Sequence, residues 1–500
     1  CHVFFWLVID ILYLRPIDSH CKLNLLSRTA MEQHEAMEQQ RDILFSNLVS
    51  PDIDRPCVVG DGIVLIDAAE QQEFIRVFKE SNRTFSLFIP ASGVGSRMFE
   101  FIYRFQQSSN EVDKEDFLRF IANLSKFAFY SSIAPHWKHL DLASSAHSLA
   151  FCEYLLLPDG MNFRDIPKAL FPFHQEGSIA TTPIDAHIRQ ALQFSKVPSE
   201  VHFTIQNNHL ETIEEKLKER DHDVPFSLQC SAQSQASDAF IFDEFKQPVL
   251  DAQGLPLRKP SGHGALIENL STQSSDVIFV KNIDNIQCSV MDHEINQYWE
   301  LLGGLLIHIV DSVQKAIHEK NASELLSLNH RFGLSSELNP QMDWDTMVSV
   351  FNRPYRVCGM VRNEGMPGGG PFWVKDQKGI SKQIIEKSQI SQGNMSCLTG
   401  STHFNPVMMA LYKKDIQGNS QSLSSFVRTD LSMAVSKRHQ GKLVYHIEKP
   451  GLWNGSMYAW NTVFIEIPSH VFSPVKSVLD LMDPIHQCSS TQMGGRMKEN

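Results

Sequence analysis

The stretch "TFSLFIPASGVGSRMFEFIYRF" (84–105) constrains the fold more than any other part of the chain. Thr84 to Ile89 are β-branched, aromatic and apolar enough to form a buried strand. From Arg97 to Phe105 apolar residues recur at helical spacing, so the turn between them carries a strand into a helix. Gly93 and Gly95 permit positive φ and close approach of a ligand, and the first amides of a helix point outward with partial positive charge. An anion fits such a turn, but an ordinary strand-to-helix corner uses glycine too. No Gly-Lys-Ser/Thr follows, which excludes a P-loop, and Met98 stands where the third glycine of a dinucleotide fingerprint belongs.

Strands and helices alternate on either side of this unit. Helical spacing runs over 67–79, 115–130, 144–157, 184–194 and 208–220, the last with Asn208 as its expected cap, and strands are expected at 201–206, 226–230, 239–243 and 276–284. "IPKALFPF" (166–173) is bracketed by prolines and reads as an extended loop. A long amphipathic helix over 295–319 opens a helical insertion reaching Phe351, and beyond it "YRVCGMV", "PFWVK", "KLVYHIE" and "MYAWNTVFIEIP" read as strands between glycine and proline turns. The pattern predicts an α/β fold with a mostly parallel sheet, whose ligands gather at the C-terminal ends of the strands. It divides the chain into an N-terminal leader and extension (1–60), a first half with a helical insertion near 111–160 (61–290), a helical insertion (291–352) and a β-rich half (353–500).

Net charge of −12 argues against broad nucleic-acid binding, which needs a basic surface to displace counterions from phosphates. Any anionic substrate must therefore be held by a few local lysines and arginines. The nine cysteines form no Cys-x-x-Cys pair, which predicts reduced thiols in a cytoplasmic protein rather than a disulfide framework or zinc site. The apolar run "VFFWLVIDILYL" is too short, and too interrupted by Asp10, to span a bilayer. With no basic segment before it and no small-residue cleavage site after it, residues 1–30 read as upstream translation or a cloning remnant, with a truncated membrane anchor as the alternative.

Five elements converge on the C-terminal edge of the expected sheet. Arg97, in the glycine loop, carries a guanidinium able to grip phosphate oxygens in a bidentate way. Lys168 lies between Pro167 and an apolar run, where it is either a phosphate ligand or a solvated loop lysine. Asp284 follows the apolar residues Val277 to Val280. A carboxylate there is costly unless paired or bound to a cation, which suits Mg²⁺ beside phosphates; an Asx turn is the alternative. "SGHG" (261–264) exposes backbone that can lie against a planar ring, and "FSPVKSVLD" sets Lys476 at the opening of a late helix. In "PGLWNGSMYAWNTVF", Trp453 and Trp460 flank Asn454 and Gly455; aromatic faces beside amide donors suit a sugar ring, and core filling is the other reading. "EGMPGGGPFWV" (364–374) is a flexible loop able to close over a ligand, and in "STHFNP" His403 reads as structural. No Gly-x-Ser-x-Gly elbow and no histidine pair at metal spacing occur.

In this order the elements resemble the sugar-nucleotide pyrophosphorylases, which join a nucleoside triphosphate to a sugar 1-phosphate. "PASGVGSRM" is similar to that family's glycine loop with its arginine, and Pro167-Lys168 to its downstream Pro-Lys. Gln229, Gly262-His263-Gly264, Asn282-Ile283-Asp284-Asn285 and "FSPVK" look most like blocks of the UDP-sugar and UDP-N-acetylhexosamine members. The same blocks, with "PGLWNGSM" and "STHFNP", resemble a bacterial family known only as a domain of unknown function. The likeness covers roughly residues 61–485. It implies a Rossmann-like sheet of the nucleotide-diphospho-sugar transferase (GT-A) type. It also implies Ala91, Gly93, Gly95, Ser96, Gln229, Gly262 and His263 around the nucleotide, and Arg97, Lys168 and Lys476 as catalytic cations. Asp284 would hold Mg²⁺, and Asn405, Trp453, Asn454 and Gly455 would face the sugar. Asp480 and Asn461 are candidates for a second metal ligand. Residues 99–166 separate the loop from Pro167-Lys168 by more than the family's usual spacing, which a helical insertion explains. The expected partners are a nucleoside triphosphate, UTP first, and a sugar 1-phosphate, with no nucleic acid or membrane. A non-catalytic sugar-nucleotide-binding module is the alternative, and a glycosyltransferase is disfavoured because no Asp-x-Asp lies near "KNIDN".

Overall fold

Among the described residues nine strands share one sheet: β1 (Val58–Val59), β2 (Gly62–Val64), β3 (Phe85–Pro90), β4 (Glu200–Ile205), β5 (Ser227–Ala232), β6 (Val277–Val280), β7 (Tyr355–Met360), β8 (Met408–Tyr412) and β9 (Asn461–Glu466). Their order is β1-β2-β9-β7-β8-β6-β3-β4-β5. All neighbours are parallel except at β8, which runs antiparallel to both β6 and β7. The expected α/β class with a mostly parallel sheet is therefore what the chain adopts. The computed structural model describes residues 31–488 apart from 32, 94, 108–110, 136, 138–144, 235–236, 366–367 and 440. The reading of residues 1–30 lies outside the described residues, as do two positions of the loop 364–374.

The central strands read as unbroken apolar runs because both faces are covered. Phe85, Leu87 and Ile89 enter one core with Val277, Phe279 and Val357, while Phe88 enters another with Ile278, Val280 and Cys358. The first face is covered by the helices Ala68–Glu80, Pro183–Leu192, Leu210–Asp221 and Asp292–His318. Asp67 caps the first through a capping box with Glu70, and Thr182 caps the second ahead of Pro183. Asp292–His318 approaches Ala68–Glu80 so closely that a Cβ at Gly304 would stand 1.7 Å from the Phe74 carbonyl oxygen. The third helix corrects an expectation. It begins at Leu210, and Asn208 caps nothing, because its amide lies 3.2 Å from the His209 ring instead.

The long insertion after the glycine loop builds a separate phenylalanine core. The helices Glu100–Gln107, Glu111–Ala122 and Ser145–Leu156 bury Phe101, Phe117, Phe120 and Phe151, and Val475, Val478 and Leu479 from the far end of the chain join them. Phe163 stacks on Phe99 at 5.4 Å and meets Phe171 edge-on at 4.9 Å, so this core returns the chain to its own starting loop. Within "IPKALFPF", expected to be an extended loop, Lys168–Leu170 form a single 3-10 turn closed by Phe171 N–H on the Lys168 carbonyl.

Besides a two-stranded hairpin of His174–Glu176 and Ile179–Thr181, the described residues form two smaller sheets, with orders Asp52–Pro56, Gly370–Asp376, Gly379–Ile385 and Arg258–Lys259, Ala239–Asp243, Lys442–Glu448, Met433–His439. Strands from before and after the helices of 291–352 share both of these and the large sheet. One cysteine expectation fails: Cys288 and Cys488, 200 residues apart, form a disulfide. Folding brings the two thiols together from loops whose spacing carries no signal. Among the described residues no helix is long and apolar enough to cross a membrane.

Candidate active site

The glycine loop leaves β3 at the point where the strand order turns, with β6 on one side and β4 on the other, which is where doubly wound sheets open a crevice. Ala91 N–H continues the sheet by donating to the Thr204 carbonyl at 2.8 Å, and the Gln206 amide holds the Ser92 carbonyl at 2.8 Å. The returning insertion then clips the loop: Gly95 N–H donates to the Ile166 carbonyl and Lys168 N–H to the Gly93 carbonyl, each at 3.0 Å. A Cβ at Gly95 would stand 2.7 Å from both the Ile166 and Phe163 carbonyl oxygens. The close approach that requires glycine at 95 is thus to the chain itself. Gly93 is exposed, and the nearest atoms to a Cβ there belong to Lys168, at 3.9 Å.

On the neighbouring strand, Lys281 and Ile283 N–H extend the pairing of β6 with β3 and deliver Asp284 to the same edge. Asp284 is 7% exposed. Its Oδ2 accepts from Lys168 Nζ at 3.1 Å and from Lys476 Nζ at 2.8 Å, while Oδ1 is buried without a partner. Lys168 Nζ also donates to the Val475 carbonyl at 2.8 Å, and Val475 N–H donates to the Asp284 carbonyl at 3.0 Å. Of the elements expected to converge, the structure joins Lys168, Asp284 and Lys476 by hydrogen bonds. Arg97 stands exposed in the turn Gly95–Phe99, near enough for its charge to act on Lys168.

Burial would raise the Asp284 carboxyl, but Lys476 and Lys168 outweigh it and hold the group below 3.8, ionised. Burial dominates at Lys168 and pulls its ammonium below 10.5, against the attraction of Asp284. Two lysines share one carboxylate and Arg97 stands near Lys168, so positive charge is in excess at this edge, and Lys476, whose side chain is 61% exposed, points that charge at solvent. Local positive charge of this kind suits an anionic ligand.

Beside Asp284 and Lys476 lies a cavity of about 250 Å³. Asn282, Asn405, Trp453, Phe404 and Phe472 wall it. Glu386, just past the strand Gly379–Ile385, accepts from Asn405 Nδ2 and Asn454 Nδ2, each at 3.4 Å, and sets the two carboxamides side by side. Oδ1 of Asn405, Oδ1 of Asn454 and Nε1 of Trp453 are all buried without partners. Burial raises the Glu386 carboxyl. Arg356, fully buried on β7, donates to the Trp453 carbonyl and anchors this wall from behind.

The remaining sequence candidates divide. Gly262 (φ 81°) and His263 form the turn against which the Trp453 segment packs: a Cβ at Gly264 would stand 2.0 Å from the Pro450 carbonyl oxygen, and the His263 and Trp453 rings lie 4.6 Å apart. Burial pushes the His263 imidazole down to about 4, so it is neutral. Gly455 is buried against Pro450, a packing position. Gln229 is not brought to this group: it lies exposed on β5, at the sheet edge, level with His202, and bonds Ser227. Its strand ends three residues later, so its side chain is not at the crevice level. Asp480 spends one oxygen on the Lys476 and Ser477 amides, at 2.7 Å each, capping its own turn. Asn461 opens β9 at the opposite end of the sheet and donates to the Val350 carbonyl. Neither faces Asp284. His403 is structural, bonded to Thr402 and Glu466. Glu386 escaped the sequence reading, although a carboxylate directly after an apolar strand end was the signal that marked Asp284.

Among the described residues no group of three or more His, Cys, Asp or Glu could hold a metal ion. Asp284 Oδ1 is the one unpartnered carboxylate oxygen of the cluster, and it fits a Mg²⁺ ion whose other ligands are phosphate and water.

Several solved structures are similar in chain path. A point mutant of UDP-glucose pyrophosphorylase from Leishmania major is 12% identical with a TM-score of 0.39, over 91% of this chain and 74% of that one. The uridine diphosphate N-acetylglucosamine pyrophosphorylase from Trypanosoma brucei is 10% identical with a TM-score of 0.45, over 89% and 78%. The inositol-1-phosphate CTP transferase from T. maritima is 8% identical with a TM-score of 0.35, over 81% and 95%. Curated proteins offer no match. The family described as "Domain of unknown function (DUF4301)" matches residues 20–487, and the chain belongs to that family.

Proposed function

We propose that the protein is a nucleotidyltransferase that joins a nucleoside triphosphate, UTP in the first instance, to a sugar 1-phosphate and releases pyrophosphate. The observation that carries this reading is the ion cluster itself: two lysines on one buried carboxylate with a free oxygen, beside a cavity walled by Trp453 and Asn405. A polyphosphate suits the cations, and a sugar ring suits the wall. The sheet would then be of the GT-A type.

In this reaction an oxygen of the sugar phosphate attacks the α-phosphorus, the bond to the bridging oxygen breaks, and its electron pair leaves with pyrophosphate. The nucleophile is already ionised, so no general base is needed. Arg97, Lys168 and Lys476 would hold the phosphates in line and neutralise the charge that builds on them. Asp284 holds the Lys168 and Lys476 ammonium groups in place. It would also hold Mg²⁺ through Oδ1, and that ion would supply further charge neutralisation on the phosphate oxygens. Trp453 and Asn405 would orient the sugar.

The test is incubation with Mg²⁺, each nucleoside triphosphate and a panel of sugar 1-phosphates, with detection of pyrophosphate. Release dependent on both substrates supports the reading, and its absence across the panel overturns it. One observation favours a second reading, a sugar-nucleotide-binding module of the same fold: Asp284 already spends one oxygen on two lysines, and among the described residues it belongs to no group of three or more metal-ligating side chains. Calorimetry showing UDP-sugar binding without pyrophosphate release would select it.

A further inference from the structure

A second cavity, of about 360 Å³, lies on the other side of the strand Gly379–Ile385. Lys382, Trp460 and Thr462 line it, with Phe426 and Tyr458 as aromatic walls. Lys382 is 7% exposed, and among the described residues its Nζ has one hydrogen bond, to the Phe332 carbonyl at 3.3 Å, and no ion pair. Beneath it Arg356 is fully buried; Nε donates to Thr462 Oγ1 and Nη1 to the Trp453 carbonyl, but Nη2 has no partner. Trp460 Nε1 and Gln383 Oε1 are likewise buried and unpartnered. On the rim Arg353 pairs with Glu337 and Arg428 with Asp430, which leaves Lys382 as the buried cation of the lining with no ion pair among the described residues.

A buried ammonium and a buried guanidinium without a countercharge are costly, and the protein supplies none. Cys57 and Cys358 lie close to Lys382, but burial pushes their thiols up to about 12 and about 11, so they stay neutral. Burial lowers the Lys382 ammonium to about 8, a cost that an anion entering from outside would relieve, and the cavity gives such an anion a route to Lys382. We propose that this cavity is a second ligand site, taking a small organic anion: a carboxylate or phosphate group met by Lys382, carried on a flat apolar body that stacks between Phe426, Tyr458 and Trp460. The site is separate from the Asp284 cluster and does not depend on the activity proposed there.

The experiment is calorimetric titration of the full chain with benzoate, phenyl phosphate and the neutral benzamide, followed in parallel by tryptophan fluorescence. At least one anion should bind saturably, with benzamide at least tenfold weaker, and the stronger of the two anions assigns carboxylate or phosphate as the group recognised. Lys382→Met, which keeps the length and apolar bulk of the side chain, should weaken the anion at least tenfold with circular dichroism unchanged. Lys476→Met, at the other site, should leave it unaltered. Should Lys382→Met not fold, Ser381→Glu serves instead: it sets a carboxylate on the cavity lining at a half-buried position, where a carboxylate oxygen can still accept from Gln383 Nε2, and it should abolish anion binding. No saturable binding of either anion, equal affinity for benzamide, or unchanged binding in the folded variant would overturn the proposal.

Discussion

Lys168 donates to Asp284 at 3.1 Å across 116 residues of chain, and both side chains are buried. An isolated ammonium or carboxylate at either position would be expensive, and each makes the other tolerable. Lys476 joins the same oxygen from the C-terminal end, which ties three distant segments to one atom.

Lys168→Ala removes one of three cations proposed to meet the phosphates. Pyrophosphate release should fall about 100-fold or more, the effect of deleting one preorganised charge-stabilising donor. Asp284 keeps Lys476, so circular dichroism should be unchanged. Near-normal turnover would take Lys168 out of the mechanism.

Asp284→Asn leaves the buried Lys168 ammonium without its countercharge and should lower stability by about 3 kcal/mol, measured by urea unfolding at neutral pH. The sign with pH follows from the carboxyl lying below 3.8 in the fold. Its contribution is full above the unfolded value and is lost as pH falls through the folded value, so wild type and variant should converge in acid. A gap that widens in acid would contradict this.

Gly95→Ala and Gly93→Ala separate the two loop glycines. A methyl at 95 meets two carbonyl oxygens at 2.7 Å, so the clip between the loop and Ile166 must shift, at a cost of about 1–3 kcal/mol. A methyl at 93 makes only ordinary contacts, and thermal melting should be close to wild type. Equal melting temperatures for the two variants would show that the clip contributes nothing.

Trp453→Ala should raise the KM for the sugar phosphate about tenfold and change kcat less, because the indole would contribute binding made alike in ground and transition states. Trp453→Phe should recover most of the loss. If kcat fell and KM held, the wall would instead act on the reacting phosphates.

Much of this was readable in one dimension, and for a physical reason. β3 and β6 had to be central strands because their apolar runs leave no face for water, and Asp284 stood out because a carboxylate at the end of such a run needs a partner. Lys168 and Lys476 could be named but not placed, since nothing local distinguishes a lysine bound to a buried carboxylate from one in solvent. Gln229 shows the limit from the other side: a polar residue near a strand end, it faces outward because its strand continues past it to Ala232.

Periodicity and apolar runs, which act over a few residues, determined the sheet, its helices and the edge where ligands gather. Which side chains meet there was decided by long-range packing. The phenylalanine core folds the insertion back so that Lys168 reaches Asp284, Glu386 aligns Asn405 with Asn454, and Cys288 finds Cys488. Such contacts depend on loop closure and burial across hundreds of residues, and these leave no periodic trace in the chain.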